Sequence, residues 1–182
     1  MLQNIKADFN CVWDSFDDYP RAKRIFFTLT QYGFVAIAVY RYGRWARQFR
    51  VPIAGQIARI LYFLAKTLIE IFFGICIDVN SDIGPGFFIG HFGCIIVHGK
   101  IGSKCSIGQG VTIGSKGAGK SNGWPVIGDN VFIGAGAKII GAINLGNNVV
   151  VGANAVVICD VTDDSLAVGV PAKVRQRHAS AR

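Results

Sequence analysis

Histidine is scarce in this chain, with only His91, His98 and His178 in 182 residues. A zinc centre of three converging histidines would need all of them, and one lies in the tail, so the ligand count argues against such a centre. The five cysteines, Cys11, Cys76, Cys94, Cys105 and Cys159, include no C-x-x-C pair. Free thiols in a reducing compartment are the simplest reading, with Cys94 and Cys105 as small core fillers. Long uncharged runs are missing too. The stretch 25–40 falls short of the roughly 20 residues that a membrane-spanning helix needs. The opening residues do not follow a signal-peptide pattern. Acidic residues are few, 11 against 19 lysines and arginines. No recognition motif accompanies that basic excess, so charge alone does not indicate a nucleic-acid partner.

What is abundant is a period. Ile77, Ile83, Ile89, Ile95, Ile101, Ile107 and Ile113 fall six apart, and the phase resumes at Ile127, Ile133, Ile139, Leu145, Val151 and Val157. Four residues after most of them stands a small or β-branched residue, such as Ser81, Cys105, Val111, Val131 or Ala155. The residue directly after is usually glycine. The exceptions, Asp78, Ile96, Ile140 and Ile158, recur every third hexad. Three hexads therefore make one coil with three unequal corners, and short strands stack on the next coil at about 4.8 Å. A prism of this kind has an apolar axis and gains stability coil by coil.

Ahead of the repeat the pattern is helical. Asp17, Asp18 and Pro20 mark a helix start, and a helix follows over 21–50 with Gly33 as a break or kink. Arg41, Arg44 and Arg47 share one face of it, read as solvated or as attracting anionic lipid or a phosphate-bearing substrate. Val51 and Pro52 mark a boundary. A second helix follows over 54–73, with Arg59, Lys66 and Glu70 on one stripe. These helices read as a cap on the coil and an oligomer interface, with a peripheral membrane contact as the second reading. The divisions expected are 1–73 helical, 74–170 coil with a protruding loop at 115–126, and 171–182 tail. Gly114, Gly119, Lys120 and Ser121 loosely match G-x-x-x-x-G-K-[ST], but hexads follow where a helix is required, so nucleotide hydrolysis is excluded.

The hexads resemble those of the hexapeptide-repeat acyltransferases, which implies a left-handed parallel β-helix. Residues 86–97, Gly-Phe-Phe-Ile-Gly-His-Phe-Gly-Cys-Ile-Ile-Val, resemble the catalytic turn of the serine acetyltransferase-like branch. Residues 32–45 resemble the helix that precedes the repeat there, and Gly169-Val170-Pro171-Ala172-Lys173 resembles the family's ending. The resemblance implies transfer of an acetyl group from acetyl-CoA to a hydroxyl, with no metal. His91 would be the general base and Gln109, one coil on, its stacked neighbour. It further implies that Gly114, Gly134, Ala135 and Ala153 make room for the pantetheine arm, that Lys173 meets the CoA phosphates, and that the chain forms a homotrimer. His98 and His178 read as structural.

Departures from the family pattern bear on the acceptor. The orienting Asp is replaced by Cys76, with Asp78 or Asp82 as a stand-in. The Asp before the base is Gly90, and the Arg-His pair of the loop is Gly123-Trp124. Losing groups that grip an amino acid's charged ends, and gaining Trp124 beside Cys76 at the mouth, points to a saccharide acceptor such as a capsule or exopolysaccharide precursor. L-Serine is the second reading and a non-catalytic scaffold the third. The compartment expected is the cytoplasm or the inner face of its membrane.

Overall fold

The computed structural model describes residues 2–49, 51–117 and 123–177. Four helices come first: α1 (Leu2–Asp14), α2 (Arg21–Thr30), α3 (Tyr32–Gln48) and α4 (Pro52–Phe73). The coils follow. The first carries β1 (Ile75–Ile77), β2 (Asp82–Ile83) and β3 (Phe88–Ile89), and the second β4 (Ile95–Val97), β5 (Lys100–Ile101) and β6 (Ser106–Ile107). The third carries β7 (Thr112–Gly114), β8 (Val126–Ile127) and β9 (Phe132–Ile133), and the fourth β10 (Lys138–Ile140), β11 (Asn144–Leu145) and β12 (Val150–Val151). The last holds β13 (Val156–Val157), a bridge from Leu145 to Val161, and β14 (Ser165–Val168), onto which β15 (Lys173–Gln176) folds back antiparallel.

Like strands stack into three sheets, β1-β4-β7-β10-β13, β2-β5-β8-β11, and β3-β6-β9-β12-β14-β15, which are the three faces of the prism. The hexad aliphatics point inward, with Ile89, Ile113, Ile133 and Val157 wholly buried. Burying each such side chain contributes on the order of 1.5–3 kcal/mol.

Between the first two coils the hexad phase slips on one face. Ile77 pairs with Val97, and Ile75 with Ile95, while β2 to β5 and β3 to β6 keep the even spacing. The expected match of Ile77 to Ile95 is corrected accordingly. Four residues, 91–94, link Gly90 to Ile95, where two, 109–110, make the same corner one coil on. The deficit appears at the next corner. Residues 98–99 turn there, where the first coil uses 78–81. One edge of the prism thus bulges at His91 and another is notched at His98.

The helices lock onto the first coil. The long helix expected over 21–50 is two helices, broken at Gln31 rather than Gly33. Gln31 is extended; its Oε1 accepts from Phe34 N and caps α3, while its Nε2 donates to Ile89 O at 2.7 Å. Gly33 lies inside α3 because a Cβ there would collide with Ile89 of the coil. The arginine face is buried at Arg41 and reaches solvent at Arg47. Arg41 is buried, paired with the buried Asp8 of α1 (Nε–Oδ2 3.0 Å), and donates to the carbonyls of Ile83 and Gly84. Arg44 donates to Ser81 O and pairs with Asp82, and Arg47 donates to Asn80. The helix α1 itself had no clear periodic signal, and its Asp8 also accepts from the N–H groups of Gly86 and Phe87. Gly74, left-handed at φ 61°, caps α4 and feeds β1. Among the described residues no helix is long and apolar enough to cross a membrane.

Candidate functional site

The bulged corner presents His91 to solvent beside a cleft of about 540 Å³, whose other wall is Phe16, Phe26, Phe27 and Tyr32. Tyr32 meets Phe92 edge-on at 4.8 Å and stacks near Phe73 at 4.7 Å, which fixes the bulge against the break between α2 and α3. Among the described residues the His91 ring has no side-chain hydrogen bond or ion pair. Register carries Gly90 onto Gly108 through Gly90 N to Ile107 O at 3.0 Å, and the bulge begins with the next residue. Gln109 is exposed on the same edge, below a corner two residues longer than its own. Ala135 and Ala153 continue that edge. Gln109 O accepts from Gly136 N, and Ala135 O from Asn154 N.

The notched corner is a second, polar site. Asp78 and His98 are stacked neighbours directly after β1 and β4, and His98 Nδ1 lies 3.0 Å from Asp78 Oδ2. Nδ1 makes no hydrogen bond there, so the contact is one of close approach. Asp78 is held by its other oxygen, which accepts from the backbone N (2.8 Å) and Nδ2 (2.9 Å) of Asn80. The indole of Trp124 stacks on the His98 ring at 4.8 Å and 15°. Because the corner is short, these groups overhang it and enclose about 320 Å³, with Asp82, Lys100 and Pro125 completing the rim.

Several expectations are thereby corrected. Asp78 faces His98, on a different edge from His91, and Asp82 is engaged by Arg44. Cys76 lies under α4 rather than at a mouth; burial first, and a hydrogen bond to Glu70 second, push its thiol up to about 11. Cys94 is exposed at the bulge, whereas Cys105 is buried and its thiol is pushed up to about 11 by that burial. Trp124 does not offer two free faces, since His98 covers one. His98 lies between Asp78 and Trp124 rather than alone in its turn. The signal for it was legible, as Asp78 and His98 both follow an inward aliphatic on neighbouring coils, but the slip that aligns them was not. His178, Gly119, Lys120 and Ser121 lie outside the described residues.

The small residues separate as well. Gly134 is demanded by packing, since a Cβ there would meet Ala153 N at 2.6 Å and Gly152 C at 2.9 Å. Gly114 is not, for a Cβ there would meet nothing within 4 Å. Gly114 lies in register with His98 on the notched edge, through His98 N to Ile113 O at 2.9 Å. Gly134, Ala135 and Ala153 lie on the His91 edge. Lys173 is exposed at the start of β15, opposite Val168.

Residues 125–159 match the family model "Bacterial transferase hexapeptide (six repeats)". The chain is 36% identical over 181 residues to the serine acetyltransferase of Synechococcus elongatus, covering 97% of this chain and 70% of that one. It is 35% identical over 177 residues to that of Bacillus subtilis, covering 93% and 75%. The crystal structure of serine acetyltransferase from Brucella abortus in complex with coenzyme A superposes with a TM-score of 0.81 at 27% identity, over 98% of this chain and 68% of that one. The solenoid is accordingly a left-handed β-helix. These likenesses, covering nearly all of this chain and all to proteins named for serine, overturn the expectation of a saccharide acceptor drawn from Gly90, Gly123 and Trp124. By its coil, its helical cap and its kinship, the chain belongs to the serine acetyltransferase family of acetyl-CoA-dependent hexapeptide-repeat acyltransferases.

Proposed function

We propose that the chain transfers the acetyl group of acetyl-CoA to the hydroxyl of L-serine, with His91 as general base. The observation that carries this is the exposure of an unpartnered imidazole on a four-residue corner, on the same edge as Gly134, Ala135 and Ala153. The coenzyme A complex of the Brucella relative supports the donor, and the names of the relatives support the acceptor.

In the reaction the neutral imidazole takes the hydroxyl proton as the oxygen attacks the thioester carbonyl. The tetrahedral oxyanion that forms needs donors already in place. Among the described residues, the N–H groups of residues 91–94 donate to no backbone carbonyl, which makes this corner the candidate donor set. The C–S bond then breaks and the imidazolium returns its proton to the departing thiolate. Gln109, exposed on the same edge, is proposed to steady the reacting groups.

Gly114 and Trp124 lie on the notched edge, apart from His91 on the bulged one. One ligand cannot lie along both edges of a single prism. The separation supports a homotrimer in which the bulged edge of one protomer faces the notched edge of the next, with acetyl-CoA between them and Lys173 near its phosphates. The outer face of α4, where Ile53, Ile60, Phe63 and Ile71 are exposed, supports a peripheral membrane contact; co-sedimentation with anionic vesicles, lost on Ile60→Ser and Phe63→Ser, tests it. Release of free thiol from acetyl-CoA on addition of L-serine tests the reaction. Steady release supports it, and none at saturating L-serine refutes it.

A further inference from the structure

L-Serine carries a carboxylate and an ammonium, and the groups that would hold these ends at the positions of the family pattern are glycine and tryptophan here, Gly90, Gly123 and Trp124. We propose that the notch at His98 supplies the missing recognition, with His98 and Lys100 binding the carboxylate of a zwitterionic α-amino acid and Asp82 and Trp124 its ammonium. The inference rests on the serine reading and on the pairing of edges between protomers, which brings this notch to the His91 of the neighbouring copy.

The arrangement is unlike a packing device. His98 and Trp124 take no part in the axial core, and Trp124 remains 51% exposed although it is a large aromatic. Asp78, itself pinned through Asn80, holds the imidazole from the Nδ1 side. That leaves Nε2 as the ring nitrogen available to a ligand in the notch. The Trp124 stack fixes the ring plane, so the direction of that nitrogen is set before the ligand arrives.

Lys100 and Asp82 are in register on β5 and β2, with both side chains directed outward. Among the described residues Lys100 forms no ion pair, while Asp82 commits Oδ1 to Arg44 at 3.0 Å and keeps Oδ2. A cation and a carboxylate side by side but not joined is the pattern that a zwitterion satisfies, since each of its ends meets an opposite charge. The indole face adds an attraction for an ammonium group. The enclosed space, about 320 Å³, admits a small amino acid. A neutral polyol would leave Lys100 unused.

The experiment compares L-serine with L-serine amide, which keeps the hydroxyl and ammonium and lacks the carboxylate. It uses the full chain, wild type and the variants His98→Ala, His98→Gln and Lys100→Met. The wild type should favour L-serine. His98→Ala and Lys100→Met should raise the KM for L-serine about tenfold or more with the KM for acetyl-CoA unchanged, and should erase the preference over the amide. His98→Gln, which keeps a donor near Nε2, should recover part of the loss. Unchanged serine kinetics in both variants would overturn the inference while leaving the serine reading standing. If the wild type turns over no L-serine, the serine reading fails. In that case a titration of L-serine, read at the His98 ring protons by NMR, decides separately. A saturable shift that Lys100→Met weakens keeps the notch as an amino-acid site, and no shift overturns it.

Discussion

Ile77 lies in register with Val97 and not with Ile95. That slip turns an even spiral into one with a bulge and a notch. The residues gained at corner 91–94 are those lost at corner 98–99, so the sheet that joins the two edges stays intact. The proposed chemistry sits where the repeat is broken. His91 leads the long corner, and Asp78, His98 and Trp124 meet around the short one.

The helical cap is tied to the coil by a buried charge pair. Asp8 is wholly buried, and Arg41 is bonded to two coil carbonyls besides Asp8. Asp8→Ala would leave the buried guanidinium with carbonyl partners but no counter-charge, and Arg41→Met would leave the carboxylate with two backbone N–H groups but no counter-charge. Each should cost about 3–5 kcal/mol of unfolding free energy. Urea denaturation followed by circular dichroism measures it, and a loss under 1 kcal/mol, roughly the worth of a surface pair, would mean the cap is held by apolar contact alone.

Gly134 and Gly114 should part ways on substitution. Gly134→Ala pushes a methyl into the backbone of the next coil and should cost about 1–3 kcal/mol. Gly114→Ala meets open space. It should leave the melting temperature unchanged and raise the KM for acetyl-CoA, because the methyl would narrow the lane proposed for the pantetheine arm. Unchanged acetyl-CoA kinetics in Gly114→Ala would remove Gly114 from that lane.

Thiol reactivity should follow exposure and burial. The thiolate is the nucleophile, so a thiol raised to about 11 is less reactive at pH 8; about one thousandth of it is ionised there. Iodoacetamide should therefore label the exposed Cys94 and Cys159 well ahead of Cys76 and Cys105. Raising the pH should speed labelling of Cys76, because its thiolate fraction grows towards that value. Mass spectrometry of the tryptic peptides reads the order, and early labelling of Cys76 would contradict its place under α4.

Much of this was legible in the residues and some was not. Inward aliphatics at fixed spacing defined the coil because each must reach the same axis, and the one long interruption lay where hexads stop. The break at Gln31 was hidden because it depends on a bond to Ile89, far off in sequence. The arginine face was placed correctly on one side of α3, but its partners are coil carbonyls and Asp8, which periodicity does not encode. The stand-in role for Asp78 came from the family's orienting Asp, which is Cys76 here; within one protomer Asp78 stacks on His98, through a register that even hexads do not encode. The saccharide expectation rested on polar groups absent at Gly90, Gly123 and Trp124, whereas the kinship that favours serine runs through nearly the whole chain and no local pattern carries it.

The central claim is that the His91 imidazole takes the proton from the attacking hydroxyl. The most direct measurement is the steady-state rate of thiol release from acetyl-CoA with saturating L-serine, in wild type and His91→Ala, alongside acetyl-CoA affinity by calorimetry. The account predicts a kcat lower by about 10²–10⁴-fold with affinity nearly unchanged. A His91→Ala enzyme that turns over at the wild-type rate would contradict it.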